Sequence, residues 1–102
     1  MKNIRAKVYP YNGKGNTIAF VNLEFDIPEL KGIFVVKGLT LVKGKNGMFV
    51  SFPSQQNNKS GKYYDTIYPT TKEDREAIST MVIETYNNEI EKAEQRAVSK
   101  FR

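Results

Sequence analysis

LTLVKGKNGMFVSF, residues 39–52, decides the fold because it consists of two apolar strands separated by turn-forming residues. The dipeptide Asn46-Gly47 is a strong hairpin signal, since a type I′ turn requires positive φ at both central residues. A two-residue turn at this dipeptide predicts that Lys45 faces Met48 across the hairpin. The predicted core face holds Leu39, Leu41, Val50 and Phe52, and the predicted opposite face holds Thr40, Val42, Phe49 and Ser51.

Two shorter alternating segments precede this hairpin. Ile4, Ala6 and Val8 alternate with other side chains up to Pro10, which is typical of a half-buried strand. The turn-rich stretch YNGKGN, residues 11–16, leads into TIAFVNLEFDI, in which every second residue from 19 to 25 is apolar. The two strands are therefore expected to pair as a hairpin. Gly38 interrupts the next apolar run and predicts a bulge or a bend.

The segment SQQNNKSGK, residues 54–62, is poor in apolar side chains, and we expect it to be a mobile loop that reaches outward. It leads into KYYDTIYP, a tyrosine-rich strand that ends at Pro69. Tyr63, Tyr64 and Tyr68 stand near lysines, which fits an aromatic and basic binding surface, but tyrosine is also common in ordinary strands. Both interpretations of these tyrosines stay open.

The character of the chain changes after Pro69, where helical spacing begins. Thr70 and Glu73 form a predicted capping box, and a helix over about residues 71–98 follows. Apolar residues recur at three- and four-residue spacings, so one face of this helix is expected to lie on the sheet. The predicted apolar stripe holds Ile78, Met81, Val82, Tyr86, Ile90, Ala93 and Ala97.

Charge is unevenly distributed along the 102 residues. Residues 1–64 hold ten Lys or Arg side chains and three acids, whereas residues 65–102 hold six basic and eight acidic side chains. Six lysines and no carboxylate lie from Lys31 to Tyr64, and Lys43 and Lys45 fall at the tip of the predicted hairpin. Such a surface suits a polyanion such as nucleic acid. Lysines also keep strand edges soluble, and the sequence favours neither interpretation.

The chain contains neither histidine nor cysteine. Histidine is the side chain most used for proton transfer near neutral pH, and cysteine would be needed for disulfides and thiolate metal sites. Asp65, the only carboxylate between Glu29 and Glu73, has no matching base, nucleophile or metal ligand and is interpreted as structural. We therefore expect no enzymatic activity, no cofactor or metal, and no small-molecule substrate.

The hydropathy of the chain gives an expectation about its location. The N-terminus shows no signal-peptide pattern, and no segment reaches the roughly 20 consecutive apolar residues of a membrane span. We expect a cytoplasmic protein with no membrane partner.

The order of these segments resembles the stage V sporulation protein G (SpoVG) family of septation regulators. The shared pattern is an N-terminal strand, a core of the form NG-apolar-FV-x-x-PS, a polar loop, and a D-x-x-x-P segment before the helix. The resemblance covers residues 2–90 approximately, and the residues after about 90 look like an extension. The matching positions are Asn46, Gly47, Phe49, Val50, Pro53, Ser54, Asp65 and Pro69.

The resemblance implies one α+β domain over residues 1–102, with a curved antiparallel sheet of about five strands and one long C-terminal amphipathic helix. It also implies a homodimer that associates through its strands, and a regulator of bacterial development and division that binds DNA and, in some members, RNA. Family members carry a basic pair directly after Pro-Ser and an arginine just before the aspartate, where this chain has Gln55, Gln56 and Tyr64. The expected phosphate contacts would then either lie on Lys59, Lys62 and the hairpin tip or be lost.

Seven residues are candidates for nucleic-acid contact, and they have ordinary alternatives. Phe49 could stack on an unpaired base, or it could pack under the helix or in a dimer interface. Lys72 and Arg75 at the helix start could hold phosphate or remain solvated. The alternative function is a protein-interaction module of the division or sporulation machinery, with only incidental nucleic-acid affinity. The candidate residues are Lys43, Lys45, Lys59, Lys62, Lys72, Arg75 and Phe49.

Overall fold

The structure, a computed structural model, describes residues 2–100 and, inside the final helix, side chains as far as residue 96. Four strands form an antiparallel sheet in the order β1-β2-β3-β4, and two further strands form a small separate sheet. The expected α+β class is confirmed, with six strands in two sheets instead of about five in one. The elements are β1 (Ile4–Pro10), β2 (Thr17–Phe25), β3 (Phe34–Gly44), β4 (Gly47–Ser51), β5 (Ser54–Gln56), β6 (Tyr63–Asp65) and α1 (Lys72–Lys100).

The first hairpin follows the alternation in the sequence. β1 and β2 are antiparallel, and their apolar residues face each other, with Ala6 opposite Leu23 and Val8 opposite Val21. β1 ends at Pro10, as predicted. The expected pairing of these two strands is confirmed.

The predicted irregularity at Gly38 is a β-bulge. Val21 lies opposite Leu39 and Leu23 lies opposite Val36, so two steps along β2 correspond to three steps along β3. Gly38 has a φ of 95°, a backbone conformation that only glycine adopts without strain. The extra residue keeps the apolar side chains on both sides of the bulge directed to the same face of the sheet.

The central hairpin has the predicted faces but a different register. Lys43 pairs with Met48 and Gly44 pairs with Gly47, so the prediction that Lys45 faces Met48 is wrong by two residues. Lys45 and Asn46 occupy the centre of the turn, and Gly47 follows with a φ of 120°, while every described residue with positive φ is a glycine. The turn is therefore not of type I′, which needs positive φ at both central residues.

A shift of two residues leaves every side chain on its predicted face, because side chains alternate with a period of two. The core of the protein confirms this assignment: residues of the hairpin are buried together with residues of β1, β2 and the helix. The buried apolar side chains are Val8, Ala19, Val21, Leu23, Leu39, Leu41, Val50, Phe52, Ile78 and Val82.

The polar segment 54–62 is an ordered hairpin, and the expectation of a mobile loop is wrong. Asn57 organises it: its Oδ1 accepts hydrogen bonds from the backbone N–H groups of Lys59 at 2.8 Å and Ser60 at 3.3 Å. The N–H of Asn57 donates to the carbonyl of Lys62 at 2.8 Å, and Gly61 turns the chain with a φ of 74°. An asparagine side chain that mimics a backbone turn gives a polar segment structure without apolar burial.

The helix begins one residue later than the predicted capping box. The Oγ1 of Thr71 accepts a hydrogen bond from the N–H of Asp74 at 3.1 Å, so Thr71, and not Thr70, is the N-cap. The helix packs across β1 and β4, with Ile78 and Val82 buried in the core. Of the predicted stripe, Met81, Tyr86 and Ile90 are half-buried and Ala93 is exposed, while the side chain of Ala97 lies outside the described residues.

Within residues 2–100, no helix has the length and hydropathy needed to cross a membrane.

Candidate nucleic-acid interface

Three lysines meet at one end of the four-stranded sheet. Lys43 stands beside the β3–β4 turn, and Lys45 lies in that turn. The backbone N–H of Lys43 donates to the carbonyl of Asn16 at 2.8 Å, which brings the β1–β2 turn, with Lys14, to the same end of the sheet. We refer to Lys14, Lys43 and Lys45 as the tip cluster. The sequence did not identify Lys14, because its position near Lys43 depends on the pairing of β2 with β3. No local sequence pattern predicts that pairing.

Lys59 and Lys62 belong to the β5–β6 hairpin. Both residues are exposed, and both are positioned by backbone hydrogen bonds around Asn57. Gln55 and Tyr64 are direct partners in the register of this hairpin. Two of the three positions at which the resemblance leads us to expect basic side chains thus share one surface, and in this chain the positive charge of the hairpin is supplied by Lys59 and Lys62.

The tip cluster and the lysines of the β5–β6 hairpin are two separate groups. The β3–β4 turn precedes β4, and the β5–β6 hairpin follows it, so the two groups lie beyond opposite ends of that strand. Residues 47–56 would span about 30 Å if fully extended at roughly 3.3 Å per residue. This length is the greatest separation that the intervening chain allows between the two groups.

The two candidate residues at the helix start have partners within the chain. The Nζ of Lys72 lies 3.9 Å from Glu76 Oε1, and the Nη2 of Arg75 lies 3.9 Å from Asp65 Oδ2. The guanidinium carbon of Arg75 also lies 5.0 Å from the centre of the Phe52 ring. Arg75 therefore connects the helix start to β6 and to the edge of the core, and Asp65 serves this contact. Exposed pairs of this kind contribute about 0–1 kcal/mol each.

Phe49 lies on the face of the sheet that points away from the helix. It pairs with Val42 across the hairpin, and half of its surface is exposed. A Cβ atom added to Gly44 would lie 3.0 Å from Cε1 of the Phe49 ring, which shows that the ring rests against this glycine. The alternative that Phe49 packs under the helix is therefore wrong.

Carboxylates do not offset these lysines. Within the described part of the chain, no ion pair involves the tip cluster, Lys59 or Lys62. Two of the three acids in the N-terminal half, Glu24 and Asp26, each accept a hydrogen bond from Arg5 at 2.8 Å. The contacts with Asp26 and then Glu24 raise the pKa of the Arg5 guanidinium above its ordinary value. Residues 2–96 also contain no group of three carboxylates placed to hold a metal ion.

Comparison with known proteins supports the resemblance. The SpoVG family profile matches residues 1–88. A protein of Symbiobacterium thermophilum named "Putative septation protein SpoVG" is 38% identical over 87 residues, which cover 85% of this chain and 58% of that protein. Proteins of the same name from Archaeoglobus fulgidus and Bdellovibrio bacteriovorus are 34% and 31% identical, covering 81% and 97% of this chain and 91% and 85% of theirs.

The profile match includes every element that builds the fold, from β1 to the part of α1 that packs on the sheet. It also includes the tip cluster and the β5–β6 hairpin. The resemblance over about residues 2–90 is confirmed, and the chain belongs to the SpoVG family.

Proposed function

We propose that this chain is a homodimeric nucleic-acid-binding regulator that takes part in septation, development or gene expression, and not an enzyme. It binds DNA, and RNA as well, through lysines at its hairpin ends. The septation named in its relatives supports the biological setting of this proposal. The whole proposal rests most heavily on one observation, the set of exposed lysines without carboxylate partners.

That observation combines sequence and structure. Residues 31–64 contain six lysines and no acid, and the structure leaves Lys43, Lys45, Lys59 and Lys62 exposed at two hairpin ends. Lysine side chains serve solubility wherever they stand, but clustering at projecting turns allows several of them to reach one phosphate backbone at once. Neutralising phosphates releases bound counterions, which makes such binding strong at low salt and insensitive to sequence.

The homodimer is supported by an apolar surface that the helix does not cover. A cavity of about 410 Å³ opens between the sheet and the helix start, lined mainly by apolar side chains including Ile4, Phe25 and Val36. At the same end Phe34, the register partner of Phe25, is 50% exposed, and Ile67 is 41% exposed. A second copy that covers this surface would remove apolar area from water, the main driving force for stable association.

Light scattering at micromolar concentration tests the dimer, and the expected mass is twice 11.7 kDa. Phe34→Ser should lower the mass toward that of the monomer. Val35→Ser is the matched control, because Val35 is the next residue, is also exposed, and faces the opposite side of the sheet. A monomeric parent, or an equal effect of both substitutions, would contradict the proposed interface.

Two double variants test the lysines. Each lost phosphate contact should flatten the plot of log affinity against log salt by about 0.9 for duplex DNA or about 0.7 for a single strand. Lys43→Gln with Lys45→Gln, and separately Lys59→Gln with Lys62→Gln, should each flatten the slope by up to about 1.8 on duplex DNA. The loss should be similar for unrelated sequences, because phosphate contacts do not read bases.

The matched control removes two positive charges from the far part of the helix, Lys92→Gln with Arg96→Gln. Both positions are exposed, so folding should be unaffected. If the control flattens the slope as much as the hairpin variants, the effect comes from net charge alone. If none of the three variants changes the slope, the lysines serve solubility, and the protein-interaction function becomes the better proposal.

A further inference from the structure

The sheet face opposite the helix carries exposed aromatic rings. Tyr9, Phe20, Thr40 and Ser51 form one row across all four strands, because each pairs with the next in the strand register. Phe49 lies two residues from Ser51 along β4, toward the tip cluster. Tyr9 is 54%, Phe20 48% and Phe49 50% exposed. We refer to the face that holds these residues as the open face.

The rings on the open face are held in place although they are exposed. The ring of Tyr11 meets that of Phe20 edge-on, with centroids 4.9 Å apart and planes at 63°. The Phe49 ring rests against Gly44, where there is no side chain to displace it. Side chains that are already fixed lose little conformational entropy when a ligand binds, so such rings are suited to make contacts with a partner.

The charges around the open face favour an anionic ligand. Glu24 shares this face and, with the nearby Asp26, contacts the single guanidinium of Arg5, so these three groups keep one net negative charge at the end of the face away from the turns. Lys7, two residues before Tyr9 on the same face, pairs with Asn22 and meets no carboxylate among the described residues. Of the tip cluster, Lys14 and Lys45 lie in turns at the end of the sheet toward which Tyr11 and Phe49 are placed, whereas Lys43 alternates with Leu41 and belongs to the helix side.

The spacing of the rings distinguishes between possible ligands. Phe20 and Phe49 are two strands and two residues apart, a distance of about 12 Å on a sheet. Thr40 and Val42 of β3, both half-buried, lie between the two rings, so the rings do not touch each other. The centre of a protein interface is usually a continuous apolar patch, whereas separated rings beside cations are the pattern by which proteins hold unpaired bases and their phosphates.

We propose that the open face binds single-stranded nucleic acid, with Phe20 and Phe49 as two base-stacking positions and with Lys7, Lys14 and Lys45 on the phosphates. A duplex keeps its bases stacked on one another, so it can use the lysines but not the rings. This inference rests on the proposed nucleic-acid binding and deepens it, since it names the form of nucleic acid that the open face selects.

The test compares a single-stranded oligonucleotide with the duplex of the same sequence, at one salt concentration, for the parent and for Phe20→Leu with Phe49→Leu. Leucine keeps an apolar side chain and removes the aromatic plane. Single-strand affinity should fall at least about tenfold, while duplex affinity and the salt slope should stay within about twofold of the parent. Phe34→Leu is the matched control, because it removes an exposed ring from the opposite face of the sheet, keeps an apolar side chain there, and should have no such effect.

If the double leucine variant does not unfold cooperatively, the single Phe49→Leu variant is tested instead. Its single-strand affinity should fall about fivefold or more. Unchanged single-strand affinity, or an equal loss in the Phe34→Leu control, would overturn the stacking positions while the lysine results still stand. A double leucine variant that becomes monomeric would show that the open face is an interface between copies and would also overturn the inference. A parent that binds neither oligonucleotide would overturn the proposed function itself.

Discussion

Replacing Gly47 by alanine tests the conformation of the central hairpin turn. Gly47 has a φ of 120°, and a Cβ atom added there would meet nothing within 4 Å. The whole cost is therefore backbone strain, about 1–3 kcal/mol for a side chain forced into a sparsely populated region of φ and ψ. Since 1 kcal/mol shifts the Tm of a domain of this size by about 4–8 °C, the Tm should fall by roughly 4 to 24 °C.

Thermal unfolding is followed by circular dichroism at one protein concentration. Two further variants are measured with Gly47→Ala as controls. Gly32→Ala adds a Cβ that also meets nothing within 4 Å, but at an ordinary φ, so it should not lower the Tm. Asn46→Ala should change stability by less than about 0.5 kcal/mol, because Asn46 has a negative φ. An Asn46→Ala cost as large as that of Gly47→Ala would indicate a type I′ turn and would refute the observed register.

Two further predictions concern the helix and the core. Thr71→Ala should lower the free energy of unfolding by about 0.5–2 kcal/mol, because it removes the N-cap, whereas Thr70→Ala should be nearly neutral. If denaturant unfolding shows a larger loss for Thr70→Ala than for Thr71→Ala, then Thr70 is the N-cap. Leu41→Ala should lower the free energy of unfolding by about 2–5 kcal/mol, because Leu41 is fully buried, and Val42→Ala on the open face should lower it clearly less. Equal losses in urea unfolding would contradict the assignment of the two faces.

The faces of the strands could be predicted from sequence because they depend only on alternation along one strand. Leu39 and Leu41 lie on one face and Thr40 and Val42 on the other, because side chains alternate with a period of two. An error of two residues in the register does not change this assignment. The register itself depends on which residues take positive φ, and a glycine in Asn-Gly can serve either as part of a type I′ turn or as the bulge after another turn. Local composition does not choose between these two conformations.

The helix cap and the polar hairpin were mispredicted for a related reason. Thr70 and Thr71 are equivalent in the sequence, and only the hydrogen bond to Asp74 identifies the cap. The β5–β6 hairpin depends on hydrogen bonds to one side chain, that of Asn57, in a segment whose composition is typical of loops. Specific hydrogen bonds are harder to predict from a sequence than apolar periodicity is.

The candidate site was predictable in composition but not in arrangement. The run of lysines without acids is visible in the sequence, yet the division into two groups on either side of β4 follows from the order of the hairpins. Lys14 joins Lys43 through a backbone contact between strands distant in sequence. Tyr9 and Phe20 occupy the faces that alternation assigns away from the core, and their adjacency on the open face follows from the pairing of β1 with β2.

The most direct test of the account is a salt series of affinity for the unaltered protein, with single-stranded and duplex oligonucleotides of several unrelated sequences. If Lys43, Lys45, Lys59 and Lys62 all contact phosphate, log affinity should fall against log salt with a slope near −3.6 for duplex DNA and near −2.8 for a single strand, per protomer. The slope should be the same for every sequence. Binding that is absent at low salt, or that does not weaken as salt rises, would contradict the claim that this protein acts through a lysine-rich nucleic-acid interface.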